Sequence, residues 1–223
     1  MQETFAFAAE QALRILGFYP VVLKGLWMTL GLSALGIAIG LVVGFAFGVG
    51  RAGAPRALAL LIGTYIDLFR GTPVLVQLFV VYFILPAVGV ELGAFAAGVI
   101  TLANITACFV GEIVCAAIRA VPRGQIEAAA ASGLTASQCL WLIVLPQATR
   151  MVVPSLVGQS VLLVKDSSVV SAIGLLDLTR SGWIIVQSVP NGLLVFALIG
   201  LGYFAICYPL LGWSRVLEKR VGH

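Results

Sequence analysis

The sequence predicts an all-α integral membrane protein with five transmembrane helices, a long helical loop on the cytoplasmic side, and its N-terminus outside. Three observations lead there. Of 223 residues, 61% are apolar, and the mean hydropathy is +1.12. Charged side chains make up 10% of the chain, against about 25% in a soluble domain. They are also unevenly spread, with long uncharged stretches separated by short basic ones. A globule of this size still exposes about a quarter to a third of its unfolded surface, so this much apolar side chain has no place in water. The bilayer is the implied solvent.

Residues 5 to 18, with Phe5, Phe7, Leu13, Ile15, Leu16 and Phe18, are read as an outer interfacial helix within an N-terminal segment 1–19. Glu3 and Glu10 stand where a cleavable signal would be basic, so no removable leader is expected. A transmembrane domain occupies 20–214. Its first span, Leu26 to Gly50, is uncharged and long enough for a hydrocarbon core of about 30 Å. Gly31, Gly36, Gly40 and Gly44 recur along it every few residues, which suits close packing against a neighbouring helix. Arg51, Gly53, Pro55 and Arg56 mark a turn.

The second span, about Ala57 to Pro86, is interrupted near Asp67, Arg70, Gly71 and Pro73, so it is kinked or begins with an interfacial half. The third runs from about Leu92 to Ile118 and carries Glu112. Ala128 to Thr149 is uncharged too, yet Ser132, Gly133, Thr135, Ser137, Gln138 and Gln147 dilute it and Pro146 breaks it. It is read as an Ala-rich helix, a turn at Ser132-Gly133 and a second amphipathic helix through Val144, all outside the hydrocarbon. Span four covers about Val152 to Leu176 and contains Lys165 and Asp166. Span five, Leu193 to Trp213, has Trp183 and Trp213 as interfacial anchors, and 215–223 form a cytoplasmic tail.

Five spans put the termini on opposite sides. Arg51, Arg56, Arg119, Arg123, Arg150, Arg215, Lys219 and Arg220 then share one side, against Arg14, Lys24 and Arg180 on the other. The richer side is cytoplasmic, because Lys and Arg collect there. The net charge of +4 is therefore assigned to the membrane and not to nucleic acid. Cys108, Cys115, Cys139 and Cys207 lack metal or redox spacing, and the single histidine is the last residue, His223. No catalytic or metal-ligating residues are nominated.

The longest cytoplasmic connection runs from Arg119 to Arg150. Glu127 to Ala131 is strongly helix-forming, with an acid near its start to complement the dipole, and Gly133 stops it. A small, smooth helix of this kind fits a groove on another protein. On local chemistry alone, an ordinary surface helix linking two spans is an equal reading.

Glu127-Ala128-Ala129, then Gly133, then Ile143-Val144-Leu145-Pro146 resembles the EAA loop of importer permeases in ATP-binding-cassette (ABC) transporters. Phe69-Arg70-Gly71-Thr72-Pro73-Val74-Leu75-Val76-Gln77, Pro122-Arg123-Gly124-Gln125 and Leu163-Val164-Lys165-Asp166-Ser167-Ser168 resemble the polar amino-acid subfamily. Together they span most of residues 20 to 215. Val153-Pro154, Gly158 and Ser167 depart from the usual pattern of paired prolines, an asparagine and a threonine.

The resemblance implies a permease subunit of the bacterial inner membrane. Its partners would be two ABC ATPase subunits, a second permease subunit (a copy or a paralogue) and a periplasmic or lipid-anchored amino-acid-binding protein. Glu127, Ala128, Ala129 and Gly133 would couple to the ATPase. No Gly-rich phosphate loop ending in Lys-Ser or Lys-Thr is present, so ATP and magnesium belong on the partner.

Charges within spans are costly and nominate the pathway. A zwitterionic amino acid needs an acid and a cation or helix terminus to match it. Glu112, Lys165 and Asp166 are the candidates, with Asn104 two turns from Glu112 on the same face, and Ser167 beside them in the resembling motif. Asp67 and Arg70, at i and i+3, are expected to pair structurally. A secondary transporter or channel without an ATPase is the alternative. An intramembrane enzyme lacks any supporting constellation.

Overall fold

The structure is a computed structural model that describes residues 14–15, 17–189 and 191–221. Among them there is no β-strand. The interfacial helix expected over residues 5 to 18 lies for the most part outside the described residues.

Helix α1, Tyr19–Gly53, is 35 residues long, roughly 50 Å at 1.5 Å per residue, and so outruns the hydrocarbon core. Helix α2, Arg56–Arg70, and the broken helix α3, Val74–Val88, meet at 100°. Within α3 a π turn over Val80–Ile84 and a 3-10 turn over Leu85–Val88 follow the α-helical start. Helix α4 is Ala94–Ala120 and the short α5 is Arg123–Ala131. Helix α6, Ala136–Ile173, is continuous through a π turn at Leu140–Val144. Helix α7 is Leu178–Val186, and α8, Gly192–Val221, carries the chain past Trp213.

Pro146 does not break α6. It stands directly after the π turn, at the second position of the α-helical stretch that follows, and the helix continues through it. The amphipathic helix expected to stop at Val144 is therefore continuous with the helix of the fourth span.

The core is the contact of α1 with α4. A Cβ built on Gly40 would lie 2.5 Å from Thr106 Cβ, one on Gly44 2.6 Å from Val110 Cβ, and one on Gly48 2.5 Å from Val114 Cβ. Gly36 faces Leu102 in the same series, whereas Gly31 has open space. The stripe is thus 36, 40, 44 and 48, shifted one turn from the set the sequence suggested. Each step of four along α1 is matched by a step of four along α4, in the same direction, so the two helices run parallel.

That direction settles the topology. The end of α1 and the start of α4 lie on opposite faces, and only α2 and α3 join them. The bent pair is therefore the second crossing, making five. Helix α6 returns alongside α4, with Val152 packed among Val110 and Val114, and Val170 beside Gly98. Helix α8 runs back along α6, with Ser214 Oγ donating to Pro154 O at 3.2 Å. Gly53, α5 and the end of α8 share one face, called A here. Tyr19, α7 and the start of α8 share face B.

Face B is pinned by Asp177, a fully buried residue that caps α7. Its carboxylate accepts the Arg180 N–H at 2.8 Å, the Thr179 N–H at 3.2 Å and the Tyr203 hydroxyl at 3.1 Å. Burial pushes this carboxyl above the usual carboxylate range, against those hydrogen bonds.

Gly44→Val is expected to force α1 and α4 apart and abolish recovery of folded protein, whereas Gly31→Ala is tolerated. Yield of monodisperse protein after detergent extraction checks both.

Candidate functional site: the coupling loop and the intramembrane charges

Helix α5 ends by a motif that closes on itself. The Leu134 N–H donates to Ala129 O at 3.1 Å and the Gly133 N–H to Ala130 O at 3.0 Å, with Gly133 at φ +82°. This 6→1 and 5→2 pair is a Schellman stop, and the left-handed φ is why glycine stands there. Thr135 then starts α6 by a reciprocal cap. Its hydroxyl accepts the Gln138 N–H at 3.3 Å, and the Gln138 side chain accepts the Thr135 N–H at 2.9 Å.

One face of α5 is anchored. Ala129 is buried in a cluster with Ile118 and Val121 at the end of α4, and Cys139, Val144 and Ala148 at the start of α6. Gln125, Ile126, Glu127 and Ala128 are exposed. Beside them a hollow of about 490 Å³ lies between Ile118, Ile126, Cys139, Leu140 and Val144. A force on α5 therefore reaches α4 and α6 through packed side chains.

The intramembrane charges pair differently from the sequence expectation. Arg70 does not pair with Asp67. Its Nη1 lies 3.1 Å from Glu112 Oε2, and its guanidinium stands 5.2 Å from the centre of the Phe109 ring. Arg51 also donates to Glu112, and its other nitrogen lies 4.0 Å from Asp67. The physical reason is desolvation. The Glu112 side chain is one-third exposed and has two guanidinium groups within reach, whereas that of Asp67 is 64% exposed and remains solvated. One carboxylate on α4 thus ties the end of α1 to the end of α2.

Asn104 shares that face of α4 but has another partner. Tyr65 donates its hydroxyl to Asn104 Oδ1 at 2.6 Å. Both line a mainly apolar hollow of about 420 Å³ between α2, α3 and α4, with Phe69, Thr72 and Gln77. Lys165 is exposed and lines a separate hollow of about 330 Å³, with Ser168, Thr179 and Tyr203. Ser167 is fully buried, its hydroxyl donating to Val164 O at 2.8 Å, and Asp166 is half-buried. Asn104 and Glu112 therefore share a helix face, and the structure does not bring Lys165 to them.

Tyr65, Gln77 and Asp177 were not nominated from sequence. Gln77 stood in a quoted motif, and the cap signature Asp177-Leu178-Thr179 was available. Nothing local marked Tyr65.

The chain is a membrane-crossing bundle with a short, rigidly seated helix exposed on one face. The family model described as binding-protein-dependent transport system inner membrane component matches residues 36–223. The L-cystine transport system permease protein TcyB of Bacillus subtilis is 31% identical, over 92% of this chain and 88% of its own. A crystal structure of an amino acid ABC transporter with histidines is 33% identical with a TM-score of 0.86, covering 93% of this chain and 97% of that one. An inward facing MetNI methionine ABC transporter, 23% identical with a TM-score of 0.77 over 90% of this chain and 96% of that one, shares the fold.

The chain belongs to the family of inner membrane components of binding-protein-dependent transport systems. It is a multi-pass permease subunit of an ABC importer in the bacterial inner membrane. It is not itself an enzyme, and it works with an ATPase chain and a binding protein.

Glu112→Gln removes the carboxylate that Arg51 and Arg70 share, leaving Arg51 the distant Asp67 and Arg70 the Phe109 ring. A cost of roughly 1–3 kcal/mol is expected, below the figure for a fully buried pair because of the carboxylate's exposure. Adding Arg70→Gln recovers part of it. Detergent melting curves of the single and double variants provide the check.

Proposed function

We propose that this permease imports a polar amino acid, in a complex with a second permease subunit and two ATPase subunits, with ATP and magnesium held on the ATPases. The relatives described above are an L-cystine permease and an amino acid transporter, which supports that cargo class. Face A is cytoplasmic in this reading. Arg56, Arg119, Arg123, Arg150 and Arg215 belong to it, and Arg51, turned inward to Glu112, adds little to that count. The binding protein then meets face B, and lipid surrounds the exposed apolar sides.

The observation that carries the mechanism is the construction of α5. It is exposed along Gln125 to Ala128, closed by Gly133, and sewn through Ala129 to the ends of α4 and α6. Nucleotide binding draws the ATPases together and displaces α5. Its rigid seat transmits the movement to the two spans, and access alternates from one face to the other. The Arg51–Glu112–Arg70 contacts keep α1 and α2 moving with α4. Asn104, Tyr65 and Thr72, lining the α2–α3–α4 hollow, offer the cargo polar groups in an apolar setting.

Glu127→Lys places a cation on the docking surface, and Gly133→Val forces a β-branched residue to a left-handed φ. Both are expected to lower uptake at least tenfold while the protein still inserts in the membrane. Normal uptake with normal complex assembly in both variants would contradict the coupling role.

A further inference from the structure

The elbow between α2 and α3 is closed by one side chain. Gln77 is 7% exposed, and its Nε2 donates to Phe69 O at 2.7 Å, Thr72 O at 3.1 Å and Thr72 Oγ1 at 3.0 Å. Two of these acceptors are carbonyl oxygens, which fixes the sense of the amide. Rotated about its last bond, it would set oxygen against oxygen. The amide nitrogen is therefore fully used on the α2 side of the bend.

The amide oxygen is not used. Gln77 Oε1 is buried and has no hydrogen-bond partner among the described residues. Buried acceptors are normally satisfied, because leaving one unmet is unfavourable. The other polar side chains of the adjoining hollow are engaged. Tyr65 bonds Asn104, Thr101 bonds Ala97 O, and Thr72 bonds Phe69 O. The hollow thus presents one side chain that is more than nine-tenths buried and still needs a donor.

We propose that Gln77 is where cargo acts on the elbow: an N–H donor of the cargo, the ammonium of an amino acid above all, bonds Gln77 Oε1 as the elbow opens. The inference rests on the amino-acid import proposed above and adds the residue that reports cargo to the bent span. Because the oxygen lies beneath the wall of the hollow, a donor reaches it only when the segment around Gly71, Thr72 and Pro73 shifts. Capture and opening are then a single event. Arg70 holds α2 to Glu112 on α4, and Leu78 seats α3 beside Leu32 and Leu102, so the shift is confined to the segment between them. Cargo binding weakens the hold of Gln77 on Phe69 and Thr72, and a good donor in the hollow offsets that loss.

The test uses the complete transporter, with its ATPase and binding-protein partners, in proteoliposomes. The probes are radiolabelled L-glutamine, L-cystine and L-histidine. Spin labels on Leu60→Cys and Phe83→Cys, both exposed positions, report the distance across the elbow. The expected result has three parts. A transported probe changes the label distance in the otherwise wild-type protein. Gln77→Leu, which removes both donor and acceptor, raises the half-saturation concentration about tenfold or more and abolishes the distance change. An N-trimethylated form of the transported probe, which has no N–H to donate, is expected to lose about tenfold or more in affinity for wild type and no more than about threefold for Gln77→Leu.

Unchanged half-saturation and an unchanged distance response in Gln77→Leu overturn this inference alone, since transport itself is intact. An equal loss of the N-trimethylated probe in wild type and Gln77→Leu also overturns it, and assigns the residue to holding the bend only. Failure of the wild-type transporter to take up any of the three probes removes the amino-acid reading and this inference with it.

Discussion

The rest of the molecule depends on the backbone contact between α1 and α4. Lipid tails are as apolar as leucine, so helices in a bilayer gain little from burying hydrophobic side chains against one another. Close van der Waals packing has to supply the difference. Gly36, Gly40, Gly44 and Gly48 let α4 approach until Ala107 O and Gly111 O lie where side chains would otherwise stand. The contact also has a direction. Two helices packed parallel cannot be consecutive crossings of a membrane, so the chain between them has to traverse the layer once more.

The burden of that extra crossing falls on the segment least suited to a straight helix. Arg70, Gly71 and Pro73 interrupt it, and the two halves meet at 100°. A bend of this kind leaves polar backbone inside the membrane, tolerable only where protein groups satisfy it. Gln77 does so from α3, donating to Phe69 and Thr72. Glu112 fixes the other arm by holding Arg70 while also receiving Arg51. The break itself is therefore braced on both sides by single polar residues, while Ile66 and Leu78 seat the two arms in the apolar core.

Much of this was legible in the residues. Charge-free runs located the spans, and basic residues separated the faces. The run Glu127 to Gly133, with its Ala content and its final glycine, announced the helix and its stop but not its start, which lies at Arg123 and leaves Glu127 outside the first turn. Legibility failed where partners are distant in the chain. Asp67 and Arg70 are three residues apart and invited pairing, but Glu112, far along the chain, offered Arg70 a less solvated carboxylate. Arg51 looked like a loop cation because its partner is also on α4. Gly31 breaks the step of four that Gly48 continues, and the strict spacing is the one that meets α4. Pro146 reads as a breaker by its own chemistry, and the π turn directly before it leaves no local mark. Gln77 was visible within a motif, but its unmet oxygen is a property of the bend and not of the sequence.

The central claim is that parallel packing of α1 and α4 makes the bent α2–α3 pair a true crossing. Single cysteines at Pro55 and Glu91, both exposed, flank that pair on its two sides. Labelling with a membrane-impermeant maleimide, before and after permeabilising the membrane, reads their locations directly. The expected result is Glu91→Cys labelled from outside and Pro55→Cys labelled only after permeabilisation. Labelling of both positions from the same side would make the pair a re-entrant loop and contradict the account.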